Sequence, residues 1–126
     1  MAKVLVVEDE KSLSDAYEMI LKSEKHDVEL ALNGHEALDA FKKSKPDLVL
    51  LDLRMPKMDG IEFLKKLQPS KKYPKTKIIV FSNYDDQQEI KEAFELGAHR
   101  YILKAWSSPN ELLKVVRETL AEKPKG

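Results

Sequence analysis

Short runs of apolar residues alternate along this chain with stretches that are apolar on one side. Val4-Leu5-Val6-Val7, Leu48-Val49-Leu50-Leu51 and Ile78-Ile79-Val80-Phe81 each hold four consecutive apolar residues and each stops at a polar one. Runs of that length, cut off by charge or by a turn, read as strands buried on both faces. Val28, Leu30 and Leu32 alternate with Glu29 and Ala31, which suits a strand at a sheet edge. Tyr101-Ile102-Leu103 gives a fifth run. Between the runs, apolar residues return at helical spacing. They are Leu13, Ala16, Tyr17, Ile20 and Leu21, then Ala37, Leu38 and Phe41, then Ile61, Phe63, Leu64 and Leu67. Ile90, Ala93, Phe94 and Leu96 follow, and Leu112, Leu113, Val115, Val116 and Leu120 close the series.

Punctuation between these segments supports the same division. Ser12, with Asp15 three residues on, is placed to cap the first helix. Asn33-Gly34 turns the chain into the second, and Pro46 stops it. Pro56 and then Asp59-Gly60 end any continuation of the third strand. Asp85 or Asp86 caps the fourth helix and Gly97 ends it, while Ser107 or Ser108 with Pro109 opens the last. The unit βα is thus repeated five times, which predicts an α/β fold with a parallel sheet, right-handed crossovers and helices on both faces. The corresponding architecture is a flavodoxin-like (βα)5 three-layer sandwich with strand order 2-1-3-4-5. One domain over residues 1–122 is expected, followed by a polar tail over 123–126.

Composition narrows the functional classes. A chain of 126 residues is long enough for one real core. Lys plus Arg and Asp plus Glu are both 22, so there is no global attraction to nucleic acid or to an anionic membrane. With no cysteine, disulfides and thiolate metal sites are excluded, and His26, His35 and His99 share no zinc-ligand spacing. No run approaches membrane-span length and the start, MAKVLVVEDE, lacks a signal-peptide pattern, so a soluble cytoplasmic protein is expected. Lys71, Lys72, Lys75 and Lys77 read as a solvated basic loop and the three histidines as surface groups. Gly60 and Gly97 read as turn and helix-stop residues.

The strand ends carry the chemistry. Val7 runs into Glu8-Asp9, Leu51 into Asp52, Phe81 into Ser82 and Leu103 into Lys104. Parallel strands put all four endings on one edge of the sheet, where open α/β folds bind ligands. In the order 2-1-3-4-5 the backbones of Asp9 and Asp52 come within roughly 5 Å. Strand five then stands on the order of 10 Å from strand three, a gap that a lysine stem can span. Carboxylates so close raise a pKa or recruit a cation, and an all-oxygen set favours Mg²⁺ or a similar hard ion. A carboxylate beside such an ion, a lysine and a hydroxyl suits acceptance of a phosphoryl group, with Asp52 attacking in line.

On VLVVEDE, NGHEALDAF, PDLVLLDLRMPKMDGIEFL, IIVFSN and ELGAHRYILKA, in that order, the chain resembles the response-regulator receiver domains, the CheY-like family. That resemblance implies Asp52 as phosphoacceptor and Glu8 and Asp9 as the acidic pair. It implies Mg²⁺ held directly by Asp9 and Asp52, by the backbone carbonyl of Arg54, and by Glu8 through water. Lys104 would contact phosphoryl oxygens, Ser82 would be the switch hydroxyl and Tyr101 the switch aromatic. The phosphodonor would be a histidine kinase or histidine phosphotransfer protein, and a downstream protein would read the face built by the fourth helix, fifth strand and fifth helix. Ala105 stands where most relatives have a cis proline, so a trans Lys104–Ala105 peptide is expected. Asn83, usually a small residue, is expected to narrow access to Asp52 together with Arg54 and Tyr84. Arg100 replaces an acidic residue that pairs across dimers in DNA-binding relatives, so a monomer or weak dimer is expected.

Other readings of the same residues remain. Glu8 and Asp9 also suit a helix N-terminus, and Asp52 a strand-end turn. A docking module of the same fold that is never phosphorylated would keep much of the pattern. An aspartate-nucleophile phosphatase of the haloacid-dehalogenase kind needs a second acid two residues after the nucleophile, where Arg54 stands.

Overall fold

Five parallel strands lie in the order β2-β1-β3-β4-β5 in the computed structural model, which describes residues 2–83, 85–104 and 108–122. They are β1 (Lys3–Val7), β2 (Asp27–Ala31), β3 (Leu48–Leu51), β4 (Lys77–Ser82) and β5 (Arg100–Leu103). Five helices connect and cover them: α1 (Lys11–Lys22), α2 (Gly34–Ser44), α3 (Gly60–Leu67), α4 (Gln87–Glu95) and α5 (Pro109–Leu120). The sequence-predicted repeat and strand order are both present. Val7 is in register with Leu51, Leu51 with Val80, and Ser82 with Leu103, so the strands end together on one edge. The ladder runs one bond further where the Asp52 amide donates to the Val7 carbonyl at 2.9 Å.

Alternation along the strands splits the core into two layers. Leu5, Val7, Val49, Leu51, Ile78 and Val80 face one way and pack with Phe41, Phe63, Leu64 and Ala93 of α2, α3 and α4. Val4, Val6, Leu48, Leu50, Ile79 and Phe81 face the other way and meet Tyr17, Leu21, Leu112 and Val116 of α1 and α5. Tyr17 and Phe81 stack edge to face at 5.1 Å. Each such side chain contributes on the order of 1.5–3 kcal/mol by leaving water, which fixes the strand ends that the site depends on.

Several local expectations are corrected. α1 begins at Lys11 with Glu10 at its N-cap and no side-chain cap, so Ser12 lies exposed within the first turn. Ser14, not Ala16, joins Tyr17 and Leu21 on the buried stripe, because those three positions share the face turned to the sheet. Leu32 falls past the end of β2 and Phe94 turns outward, each 40% exposed. The stretch after α3 contains a helical turn, Pro69–Lys72, begun by Pro69. Lys77 is no loop residue: it starts β4, is buried, and its Nζ donates to the Glu122 carbonyl at 2.6 Å. His99 is buried as well, its Nδ1 accepting from the Ile78 amide at 3.1 Å, whereas His35 is exposed. In both cases a backbone group pairs with one polar atom of the side chain, Lys77 Nζ or His99 Nδ1, and offsets part of the cost of burial.

The helix caps match their sequence signals at Asp86 and Ser108, and Asn33, read as a turn residue, caps α2 by accepting from the Glu36 amide. The access role expected of Tyr84, the Lys104–Ala105 peptide, Ser107 as a cap and the tail over 123–126 all lie outside the described residues.

Candidate functional site

Glu8 and Asp9 follow β1, Asp52 follows β3, and one carboxylate oxygen of each lies within 4.8 Å of the others. Glu8 is 2% exposed and Asp52 7%, while Asp9 stands out in solvent. Their placement follows from the register, since β1 and β3 are hydrogen-bonded neighbours that end at Val7 and Leu51. Lys104, one residue past β5, reaches across β4 to the pair. Its Nζ donates to Glu8 Oε1 at 2.5 Å and lies 3.5 Å from Asp52 Oδ2, with the lysine side chain itself 9% exposed. The backbone amides of Glu10 and Arg54 donate to Glu8 Oε2 at 3.2 Å and to Asp52 Oδ1 at 3.3 Å.

Burial drives the Glu8 carboxyl up to about 7; the Lys104 hydrogen bond opposes that rise and the Asp52 charge adds to it. Burial likewise raises Asp52, against the pull of the Lys104 charge and of the Arg54 amide. Tyr17 beneath them is raised by its own burial and then by the charges of Glu8 and Asp52. One lysine therefore serves two desolvated carboxyls. Such a set has room for more positive charge, and three oxygen donors with no nitrogen or sulfur fit a hard divalent cation.

Glu8, Asp9, Glu10, Asp52, Arg54, Asn83 and Lys104 line one open cleft of about 430 Å³. Two of the sequence-predicted residues lie off its wall. Ser82, at the end of β4, is fully buried. Tyr101 of β5 is half-buried, packs against the α2–α4 side of the core and hydrogen-bonds Ser82. Its hydroxyl is raised chiefly by burial, with the Ser82 bond lowering it and the charges of Glu89 and Arg54 acting in opposite senses. Asn83 is exposed at the cleft.

Two contributors escaped the sequence reading. Gly60 begins α3 and presses on the Asp52–Leu53 backbone: a Cβ there would lie 2.6 Å from the Asp52 carbonyl oxygen and 2.8 Å from Leu53 Cα. The motif MDG marked a turn, but no spacing reveals that close approach. Glu89, in the first turn of α4, stands 3.6 Å from Arg54 Nη2. Its helix position was legible, whereas its partner lies 35 residues away in a loop.

The family described as "response regulator receiver domain" matches residues 4–117. The chemotaxis protein CheY4 of Vibrio cholerae is similar with a TM-score of 0.87 and 32% identity, over 95% of this chain and 99% of that one. A CheY-like receiver domain protein from Methanospirillum hungatei gives 0.85 and 29%, over 95% and 94% of the two chains. NtrX from Brucella abortus, solved in complex with ADP, gives 0.84 and 28%, over 94% of this chain but 27% of that longer one.

Proposed function

Because the chain belongs to the response regulator receiver domain family, we propose that Asp52 accepts a phosphoryl group from a histidine kinase or a histidine phosphotransfer protein and that the chain works as a cytoplasmic signalling switch. The observation that carries this reading is the convergence of Glu8, Asp9 and Asp52 within 4.8 Å, with the Lys104 ammonium between Glu8 and Asp52. Asp52 Oδ attacks phosphorus, the P–N bond of the phosphohistidine breaks, and its electron pair stays with the imidazole nitrogen. Lys104 then shifts part of its hold from Glu8 to a phosphoryl oxygen.

Asp9 and Asp52 would hold Mg²⁺ directly, with the Arg54 carbonyl beside them and Glu8 acting through water. When bound, the cation supplies neutralisation of the phosphoryl oxygens. Ser82 donates a hydrogen bond to one of those oxygens, a charge-assisted contact worth about 1.5–3 kcal/mol. That is enough to shift a two-state equilibrium about ten- to a hundredfold. Tyr101 loses its Ser82 partner and repacks inward, which alters the face formed by α4, β5 and α5 where a downstream protein binds. Asn83 and Arg54, at the cleft, tune access to Asp52.

Mass spectrometry after exposure to a small phosphodonor and Mg²⁺ tests the reading. The wild-type chain gains one phosphoryl group and Asp52→Asn gains none; equal labelling of the two would reject the assignment.

A further inference from the structure

Arg54 stands between two hollows. One is the Asp52 cleft; the other, of about 480 Å³, adjoins it and is lined by Leu53, Met55, Pro56, Asp59 and Glu89 together with Arg54. The Arg54 amide is tied to Asp52 Oδ1, while its guanidinium points across to Glu89 of α4 at 3.6 Å. Glu89 is poorly served by this pairing. Its Oε2 lies beyond hydrogen-bond length from the guanidinium, and its Oε1 is buried with no hydrogen bond among the described residues. The Arg54 side chain keeps 46% of its exposure and Glu89 21%, so the pair belongs to the weak, screened class of ion pairs.

Resting on the phosphoacceptor reading above, we propose that Arg54 and Glu89 form an exchangeable tether between the acceptor loop and α4. In the unmodified chain Glu89 draws the guanidinium away from Asp52 and holds the first turn of α4 toward the β3 loop. A phosphoryl group on Asp52 brings about −1.5 to −2 charge and three strong acceptor oxygens, two of which the guanidinium fork can take at once, against the single charge of Glu89. Arg54 therefore changes partner, and α4 is released. This signal is distinct from the one sent through Ser82 and Tyr101, yet it reaches the same helix.

Amide hydrogen exchange over Ile90 to Ala93 in α4 reads the tether, in the wild type, Glu89→Gln, Arg54→Gln and the double variant. In the unmodified wild type these amides exchange slowly, and a small phosphodonor with Mg²⁺ speeds them about two- to fivefold, the range an exposed pair commands. Glu89→Gln exchanges at the faster rate from the outset and responds little to the phosphodonor. The double variant is no faster than either single one, and added salt speeds the wild type while leaving Glu89→Gln unchanged. Additive effects of the two substitutions, or wild-type exchange in unmodified Glu89→Gln, would overturn the tether. A wild type that takes no phosphoryl group sinks the acceptor reading and the release step, and the exchange rates of the unmodified variants then decide the resting tether separately.

Discussion

Glu8 is a carboxyl placed almost out of water beside a second carboxyl, with one lysine to answer both. Folding holds its proton more tightly than the unfolded chain does, lifting it from 4.5 to about 7 through burial. Between those values the unfolded chain releases the proton and the folded chain keeps it, so stability falls as pH rises through that window. Without divalent cations, the wild type should lose up to about 3 kcal/mol relative to Glu8→Gln between pH 4.5 and 7. Denaturant unfolding at several pH values measures it; parallel curves for the two proteins would contradict the account. The acids and the lysine were legible as strand-end residues. That Lys104 lies nearer to Glu8 than to Asp52 was not, because sequence spacing fixes which strand ends meet but not how side chains divide one cation. For the same reason Lys77 and His99 read as surface groups: their backbone partners, Glu122 and Ile78, are 45 and 21 residues away.

At the scale of elements, α3 shows how local signals and long-range fit combine. Asp59 accepts from the Glu62 amide at 2.9 Å, Glu62 answers the Asp59 amide, and Gly60 donates to the Leu53 carbonyl at 2.9 Å. This start clamps the loop leaving Asp52 against the helix that follows. Gly60→Ala should cost about 1–3 kcal/mol, because its methyl meets backbone that cannot swing aside. It should also slow phosphoryl uptake by Asp52. Thermal unfolding and initial labelling rates check both, and a variant of wild-type stability would show that the loop yields freely. The apolar runs and helical spacings located all five strands and five helices, since burial on both faces marks β1, β3 and β4, and burial on one side marks β2 and the helices. The turn Pro69–Lys72 was missed because a proline and three polar residues carry no period. The start of α1 was misplaced because Glu10 occupies the N-cap without using its side chain.

Over the whole molecule, two apolar layers hold five strands in parallel and leave the acidic ends gathered at one rim. A ligand that relieves charge at this rim stabilises the entire fold by linkage. Mg²⁺ at about 100 times its dissociation constant should add about 2.7 kcal/mol. Asp9→Asn, at an exposed position, should fold normally and lose that gain. Denaturant midpoints with and without the metal measure it, and an undiminished gain in Asp9→Asn would remove Asp9 from the cation's ligands.

The contact between Lys104 and Glu8 joins residues 96 positions apart. A ribosome therefore delivers the acidic half of this machinery long before the cation that completes it. Any shorter piece, cleaved or stalled ahead of β5, carries the acids without their counter-charge. The full set of Glu8, Asp9, Asp52 and Lys104 comes together late in synthesis and all at once.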